Sequence, residues 1–268
     1  MITNNLHNFH NNFRPCILCL SGHDPSGGAG IAADIEAIAA QKCHAASVIT
    51  ALTIQDSSNV YDFKILDSEW VTAEANAIIN DLPISAIKLG MLGSIQMVQC
   101  VMEIIAKLPN IPVVCDPVLK ASGGGKLGKD DVGFIIREQL FPVAIIATPN
   151  LIEAQILADL PKNASADQCA EKLLSKIPYL LITDGEGTSS TVINRLYSKK
   201  ECKEFTCPRL PGIYHGSGCT LASSLSARLA IGQSVTSAVE FALDYTWRTL
   251  RDAEKLGKGQ FIPCRFLL

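Results

Sequence analysis

Apolar residues along this chain fall into short runs separated by polar, glycine-bearing loops, and two spacings alternate. Residues 15–20 (PCILCL), 45–54, 60–66, 86–89, 111–115, 144–147 and 179–182 are apolar runs of strand length. Between them the apolar positions recur at helical spacing. Ile31, Ile35 and Ile38 share one side of a helix after the first run. Further helices are predicted at 68–81, at 94–108 with Ser94 as N-cap, at 130–140 and at 165–176. Residues 190–194 and 201–207 read as antiparallel strands, so the edge of the sheet is mixed. An alanine- and leucine-rich helix covers 221–231, and a last helix covers 234–256. This alternation predicts one α/β domain over residues 15–268. It has three layers, α/β/α, with a mostly parallel central sheet and an antiparallel edge. Residues 1–14, rich in Asn and His, read as a loose tail whose His7 and His10 are solvated.

Composition narrows the function classes. With 48% hydrophobic and 18% charged residues in 268, the chain is globular. A formal net charge of −3 gives no attraction for nucleic acid or an anionic membrane. No apolar run reaches the length of a membrane span, and the N-terminus lacks a hydrophobic signal core. The expected location is the cytoplasm. Ten scattered cysteines read as reduced, mostly buried thiols. Cys16 and Cys19 have CxxC spacing, but on a strand they point to opposite faces, and no second pair completes a zinc site.

The candidate chemistry lies where predicted strands end in glycine-rich loops. Residues 215–220 (HGSGCT) feed straight into a helix. Unsatisfied N–H groups at a helix start, with the positive end of its dipole, suit an anion. Gly216, Ser217, Gly218 and Cys219 are therefore read as an anion hole, with the Cys219 thiol lowered from ~8.5. The alternative is a glycine turn that merely caps a helix. Residues 21–30 (SGHDPSGGAG) give a strand, loop, helix layout without the spacing of a nucleotide fingerprint. Gln55 stands where a strand meets a loop, Met91 faces a pocket or the core, and Asp116 ends a strand. Asn150 and Glu153 are three apart, which fits either a hydrated Mg²⁺ or a capping box. Residues 120–129 carry three lysines and read as a lid or a surface loop, and residues 183–187 (TDGEG) form a polar turn.

Taken together, residues 22–30 (GHDPSGGAG), 49–55 (ITALTIQ), 88–92 (KLGML), 116–118 (DPV), 148–153 (TPNLIE) and 216–220 (GSGCT) resemble the hydroxymethylpyrimidine/phosphomethylpyrimidine kinases of thiamine biosynthesis. These belong to the ribokinase-like superfamily, and the pieces run in the family's order over about residues 15–263. The resemblance implies an ATP-dependent kinase for the hydroxymethyl group of 4-amino-5-hydroxymethyl-2-methylpyrimidine. It implies a second phosphorylation of the monophosphate, to the pyrophosphate. Gln55 matches the residue that pairs with the pyrimidine, and Gly22, Ala29, Asp34, Thr53 and Met91 match its pocket. Asp116, Asn150 and Glu153 match the Mg²⁺ and phosphate side, and ATP is placed across Thr183 and Gly185. A homodimer is expected from the family.

One stretch departs from the pattern. Where the family has Lys-Gly-Gly-His, this chain has Thr183-Asp184-Gly185-Glu186, so a cation is lost and an acid gained. Either Lys120, Lys126 or Lys258 compensates, or the chain is a slower or diverged member; the second phosphorylation is the step most exposed. Cys219 as thiolate is the expected acceptor of the hydroxyl proton. The rival readings are a pyridoxal or pyridoxine kinase and a non-catalytic pyrimidine-binding homologue.

Overall fold

The computed structural model of the chain describes residues 14–119, 132–185 and 187–267. The predicted tail and its histidines, and the lysine-rich stretch with Lys120 and Lys126, lie outside the described residues. In chain order the elements are β1 (Cys16–His23), α1 (Gly30–Ala39), β2 (His44–Gln55), β3 (Val60–Ile65), α2 (Ser68–Asp81), β4 (Ile84–Leu89), α3 (Ile95–Ala106) and β5 (Val113–Cys115). There follow α4 (Val132–Ile135), β6 (Ile146–Ala147), α5 (Leu151–Leu157), α6 (Ala166–Leu173), β7 (Tyr179–Ile182), β8 (Thr191–Ser198), β9 (Cys202–Pro208), α7 (Ser217–Ala230) and α8 (Val235–Arg251).

Among the described residues these strands form one sheet in the order β3-β2-β1-β4-β5-β6-β7-β8-β9. The pairs from β2 through β7 are parallel, while β2–β3, β7–β8 and β8–β9 are antiparallel. Interior strands are apolar on both sides because helices cover both faces. Alternation sorts their residues. Leu18, Leu20, Val113, Cys115 and Leu180 pack with α2 to α6, whereas Ile17, Cys19, Val114, Ile146 and Leu181 pack with α1, α7 and α8. Cys16 and Cys19 do point to opposite faces, and all ten cysteines are free thiols.

Helix starts follow their caps. Ser94 accepts from the Met97 N–H at 3.1 Å, and Asp67 accepts from Glu69 and Trp70 at the head of α2. Two expectations need adjustment. Ile35 is 43% exposed, because the buried stripe of α1 runs through Ile31, Asp34 and Ile38. The last helix ends at Arg251, since the chain turns back there and Glu254 pairs with Ile262. Beyond α4 the helix widens into a π turn at Ile136–Leu140 and closes in a 3₁₀ turn carrying Pro142, which has no N–H to continue the ladder. No helix among the described residues is long and apolar enough to cross a membrane.

Candidate active site

Strand β1 lies between β2 and β4, so the strand order reverses there and the loops leaving the two carboxyl ends part. The loop after β1 is shaped by Asp24, which is 2% exposed. Its carboxylate accepts from the Ser26 N–H (2.8 Å), the Ser26 hydroxyl (2.9 Å) and the Ala29 N–H (2.8 Å). It also bonds His215 Nε2 at 2.8 Å. Burial alone would raise this carboxyl, but the bonds from His215 and Ser26 outweigh it and the net shift is downward. His215 ties this loop to the turn that enters α7. A Cβ on Gly28 would sit 2.2 Å from the His215 ring, and one on Gly216 would sit 2.0 Å from the Gly28 carbonyl oxygen. Gly216 also has φ +74°, so this contact needs glycine on both sides.

From that turn α7 starts at Ser217, and the Thr220 N–H reaches back to the Gly216 carbonyl at 3.0 Å. Helix geometry leaves the N–H groups of Ser217, Gly218 and Cys219 without acceptors inside the helix. Gly218 is exposed, and Ser217 and Cys219 are half-buried, so this end is open to a ligand. The thiol is not lowered as expected. Loss of water around the sulfur pushes Cys219 up to about 11; Lys88 and the Gly30 N–H oppose the rise, while Asp116 and Asp34 reinforce it. Desolvation and two carboxylates outweigh Lys88 and the Gly30 N–H, which favours the thiol at neutral pH.

Beneath the turn lies a buried ionic cluster. Lys88 Nζ is 2.8 Å from Asp34 Oδ1 and donates to Ser21 Oγ at 3.0 Å, and both charged side chains are fully buried. Ser223 Oγ, one helical turn past Cys219, donates to Asp34 Oδ1 at 2.7 Å. Burial disfavours a charged Lys88, but the Asp34 carboxylate more than reverses this and the ammonium is held well above its ordinary range. Asp116, at the end of β5, is pushed up to about 6 by burial, with Lys88 opposing and Asp34 adding to the shift. Its carboxylate lies 3.9 Å from where a Gly218 Cβ would be.

The residues assigned to the pyrimidine fall on one side of this centre. Met91 Sδ is 3.2 Å from a Cβ built on Gly22. Gln55 Nε2 donates to Thr53 Oγ1 at 2.5 Å, and Thr53 donates to the His23 carbonyl at 2.8 Å. Ala29 follows in the same loop, half-buried. Asp34 differs from its expected place on the pocket wall: it has no exposed surface and acts from below, as the partner of Lys88.

On the other side, Asn150 and Thr183 pair as a parallel bridge that brings the ends of β6 and β7 together. Asn150 and Glu153 form a full capping box, and Glu153 Oε1 also accepts from the Leu119 N–H at 3.3 Å. The cation over the 183–187 turn is Arg209. Its guanidinium donates to the carbonyls of Ser189 (2.6 Å), Gly185 (3.0 Å) and Asp184 (3.1 Å), and lies 3.1 Å from the Asp184 carboxylate. Lys258 instead sits in an exposed loop whose neighbour Gly259 bonds Ser57, beside the β2–β3 turn. No group of three His, Cys, Asp or Glu among the described residues is arranged to hold a metal by itself. Asp116 Oδ2 is buried with no hydrogen-bond partner among them. The side-chain oxygens of Asn150 and Glu153 at the head of α5 fit a Mg²⁺ that keeps several waters.

Sequence reasoning passed over Lys88, the Asp24–His215 contact and Arg209. Lys88 left a readable trace: a lysine inside an apolar strand, matched by Asp34 on an apolar helix face, signals a buried pair. Arg209 is legible only from hairpin register, since Thr191 opposite Pro208 sets residue 209 against Ser190 and the neighbouring turn.

A sheet of this order, with a glycine turn opening a helix onto a strand-end aspartate, defines a ribokinase-like phosphotransferase. The family described as phosphomethylpyrimidine kinase matches residues 24–264. The hydroxymethylpyrimidine/phosphomethylpyrimidine kinase of Mycobacterium tuberculosis is 36% identical over 251 residues, covering 91% of each chain. A phosphomethylpyrimidine kinase structure from Clostridium difficile superposes with a TM-score of 0.75 at 29% identity, covering 87% of this chain and 98% of that one. The ADP complex of Bacillus subtilis pyridoxal kinase superposes with a TM-score of 0.85 at 25% identity, covering 94% and 97%. This chain belongs to the phosphomethylpyrimidine kinase family.

Proposed function

We propose that this protein phosphorylates 4-amino-5-hydroxymethyl-2-methylpyrimidine with MgATP, and then phosphorylates the monophosphate. The observation that carries the reading is the open start of α7, with unengaged N–H groups facing a site bounded by the first glycine loop, Gln55 and Asp116. Phosphoryl transfer asks a protein mainly for positioning and charge stabilisation. Gln55 and Thr53 offer an amide and a hydroxyl to the heterocycle's edge, and Gly22 leaves room beside Met91 for the ring. The N–H groups of Gly218 and Cys219 stabilise the charge on the transferring phosphoryl oxygens. Thr183, Gly185 and Asn150 hold the nucleotide, on a turn that Arg209 keeps in shape. Asn150 and Glu153 would hold Mg²⁺, which when bound would neutralise phosphate charge. Cys219, protonated at neutral pH in the free protein, borders the alcohol and shapes its site. The alcohol gives up its proton late, and Asp116 is the nearby carboxyl whose range suits receiving it. A cytoplasmic homodimer belongs to the same reading, and sedimentation checks the dimer.

The likeness to a pyridoxal kinase makes pyridoxal the alcohol to compare. The chain is incubated with MgATP and hydroxymethylpyrimidine, pyridoxal or pyridoxine in parallel, and products are resolved by mass. Pyrimidine monophosphate followed by pyrophosphate is expected. Pyridoxal phosphate alone would move the assignment to the vitamin B6 alcohols. Pyrimidine binding without any product would leave a binding protein.

A further inference from the structure

Arg265 is 1% exposed, yet it carries a full charge and lies just past the span that matches the family. A buried guanidinium is tolerated only when its donors are matched, and apart from Glu36 on α1 these matches lie in the two glycine loops and at Thr220. Nη2 donates to the Gly28 carbonyl, and Nη1 donates to Glu36 Oε2 at 2.9 Å and to the Gly27 carbonyl at 3.4 Å. Nε donates to Thr220 Oγ1 at 2.9 Å, and that hydroxyl donates onward to the Gly216 carbonyl at 2.9 Å. One side chain therefore holds both partners of the tight Gly28–Gly216 contact, one directly and one through Thr220. Its own backbone is anchored by α8, since Tyr245 donates to the Arg265 carbonyl at 2.7 Å and the Cys264 N–H donates to Thr249 at 3.0 Å.

We propose that Arg265 is a positioning residue for phosphoryl transfer, fixing the alcohol-side glycine loop against the turn that presents the anion hole. The proposal rests on the kinase reading above. In-line transfer is sensitive to the distance between these two loops, and a misplacement of about 1 Å can cost about 100-fold in rate. Arg265 touches neither loop's open face, so substrate affinity changes little when it is altered.

The test is steady-state kinetics of the full chain with MgATP and hydroxymethylpyrimidine, for wild type, Arg265→Gln, Arg265→Lys and Thr220→Val. Arg265→Gln is expected to lower kcat by about 30- to 100-fold with both KM values within about threefold. Arg265→Lys, which keeps the charge but not the fork, should recover part of the loss. Thr220→Val should lower kcat as well, and the Arg265→Gln/Thr220→Val double variant should lose little more than the worse single, since both act on one contact. A kcat within threefold of wild type in Arg265→Gln overturns the role. So do losses that multiply in the double variant. If Arg265→Gln does not fold, Thr220→Val decides alone: unchanged kcat overturns the proposal. A wild-type chain without turnover overturns the kinase reading beneath it, whereas an active wild type with indifferent variants overturns only the role of Arg265.

Discussion

Replacing Asp116 with Asn removes a charge that the folded protein accommodates poorly. The Asp116 carboxyl is 5% exposed and pushed from 3.8 up to about 6 by burial, only partly relieved by Lys88. Between those values the folded protein keeps a proton that the unfolded chain has lost, so stability falls as pH rises through the window and stays low above it. The full difference is about 3 kcal/mol, of which about 2 kcal/mol falls between pH 4.5 and pH 8. Asp116→Asn abolishes that slope. Other consequences of the substitution, such as a mismatched amide, are independent of pH and cancel when the two pH values are compared. Urea denaturation of both proteins, without nucleotide or divalent ion, reads the difference directly. With m about 2 kcal/mol/M, the gap between variant and wild-type midpoints should shift in the variant's favour by about 1 M from pH 4.5 to pH 8. The same variant should lose turnover, a site residue trading stability for function. A gap that stays constant with pH would refute a proton-holding Asp116 and the electrostatic picture built on it.

Alkylation of Cys219 by iodoacetamide, followed on its own peptide by mass spectrometry, should be slow at pH 7.5 and rise towards pH 11, because burial holds the thiol up. In keeping with this, Cys219→Ser should cost less than about tenfold in kcat, where loss of a working base costs about 100-fold or more. Asp34→Asn leaves Lys88 charged, buried and unpaired, and should destabilise the fold by about 3–5 kcal/mol in chemical denaturation. Arg209→Ala frees the 183–187 turn and should raise KM for ATP by about tenfold while leaving that for the pyrimidine unchanged, equivalent to one charge-assisted bond.

What the sequence could show depended on how locally each feature is encoded. The layers and the parallel sheet follow from periodicity, because each strand and helix writes its own burial into its own residues: Tyr179–Ile182 and Ser68–Asp81 match their predicted bounds. Ser94 was readable as a cap for the same reason. The expected lowering of the Cys219 thiol rested on a local cue, a helix start; the opposing causes, burial first and then Asp116 and Asp34, come from packing and from residues far away in the chain. Arg209, which braces residues 184, 185 and 189, comes from the end of a hairpin and depends on strand register, so no local pattern announces it; Lys120 and Lys126 lie outside the described residues. Asp34 was placed on the pocket because the motif carries it there; only packing shows that its side chain turns inward to Lys88.

Three of the polar contacts that the structure reveals share one interface. Asp24 to His215, Asp34 to Ser223, and Glu36 through Arg265 to Thr220 each join α1 or its loop to α7 or its turn. Around them the apolar α1–α7 packing includes Ile31, Ile38 and Ala227, and the α7 face is rich in serine and alanine. Small residues there let the two glycine loops approach, but they give little apolar area to fix the distance. Directional bonds fix it instead. Buried polar pairs of this kind add little net stability over apolar packing of the same shape, yet they tolerate only one geometry. Phosphoryl transfer as proposed needs that property more than it needs stability, because that reading puts the alcohol on one loop and the developing charge on the other. It follows that apolar replacements across this interface that leave the Asp34–Lys88 pair intact should spare the fold more than they spare kcat, and that ordering is what a residue pinned for catalysis predicts.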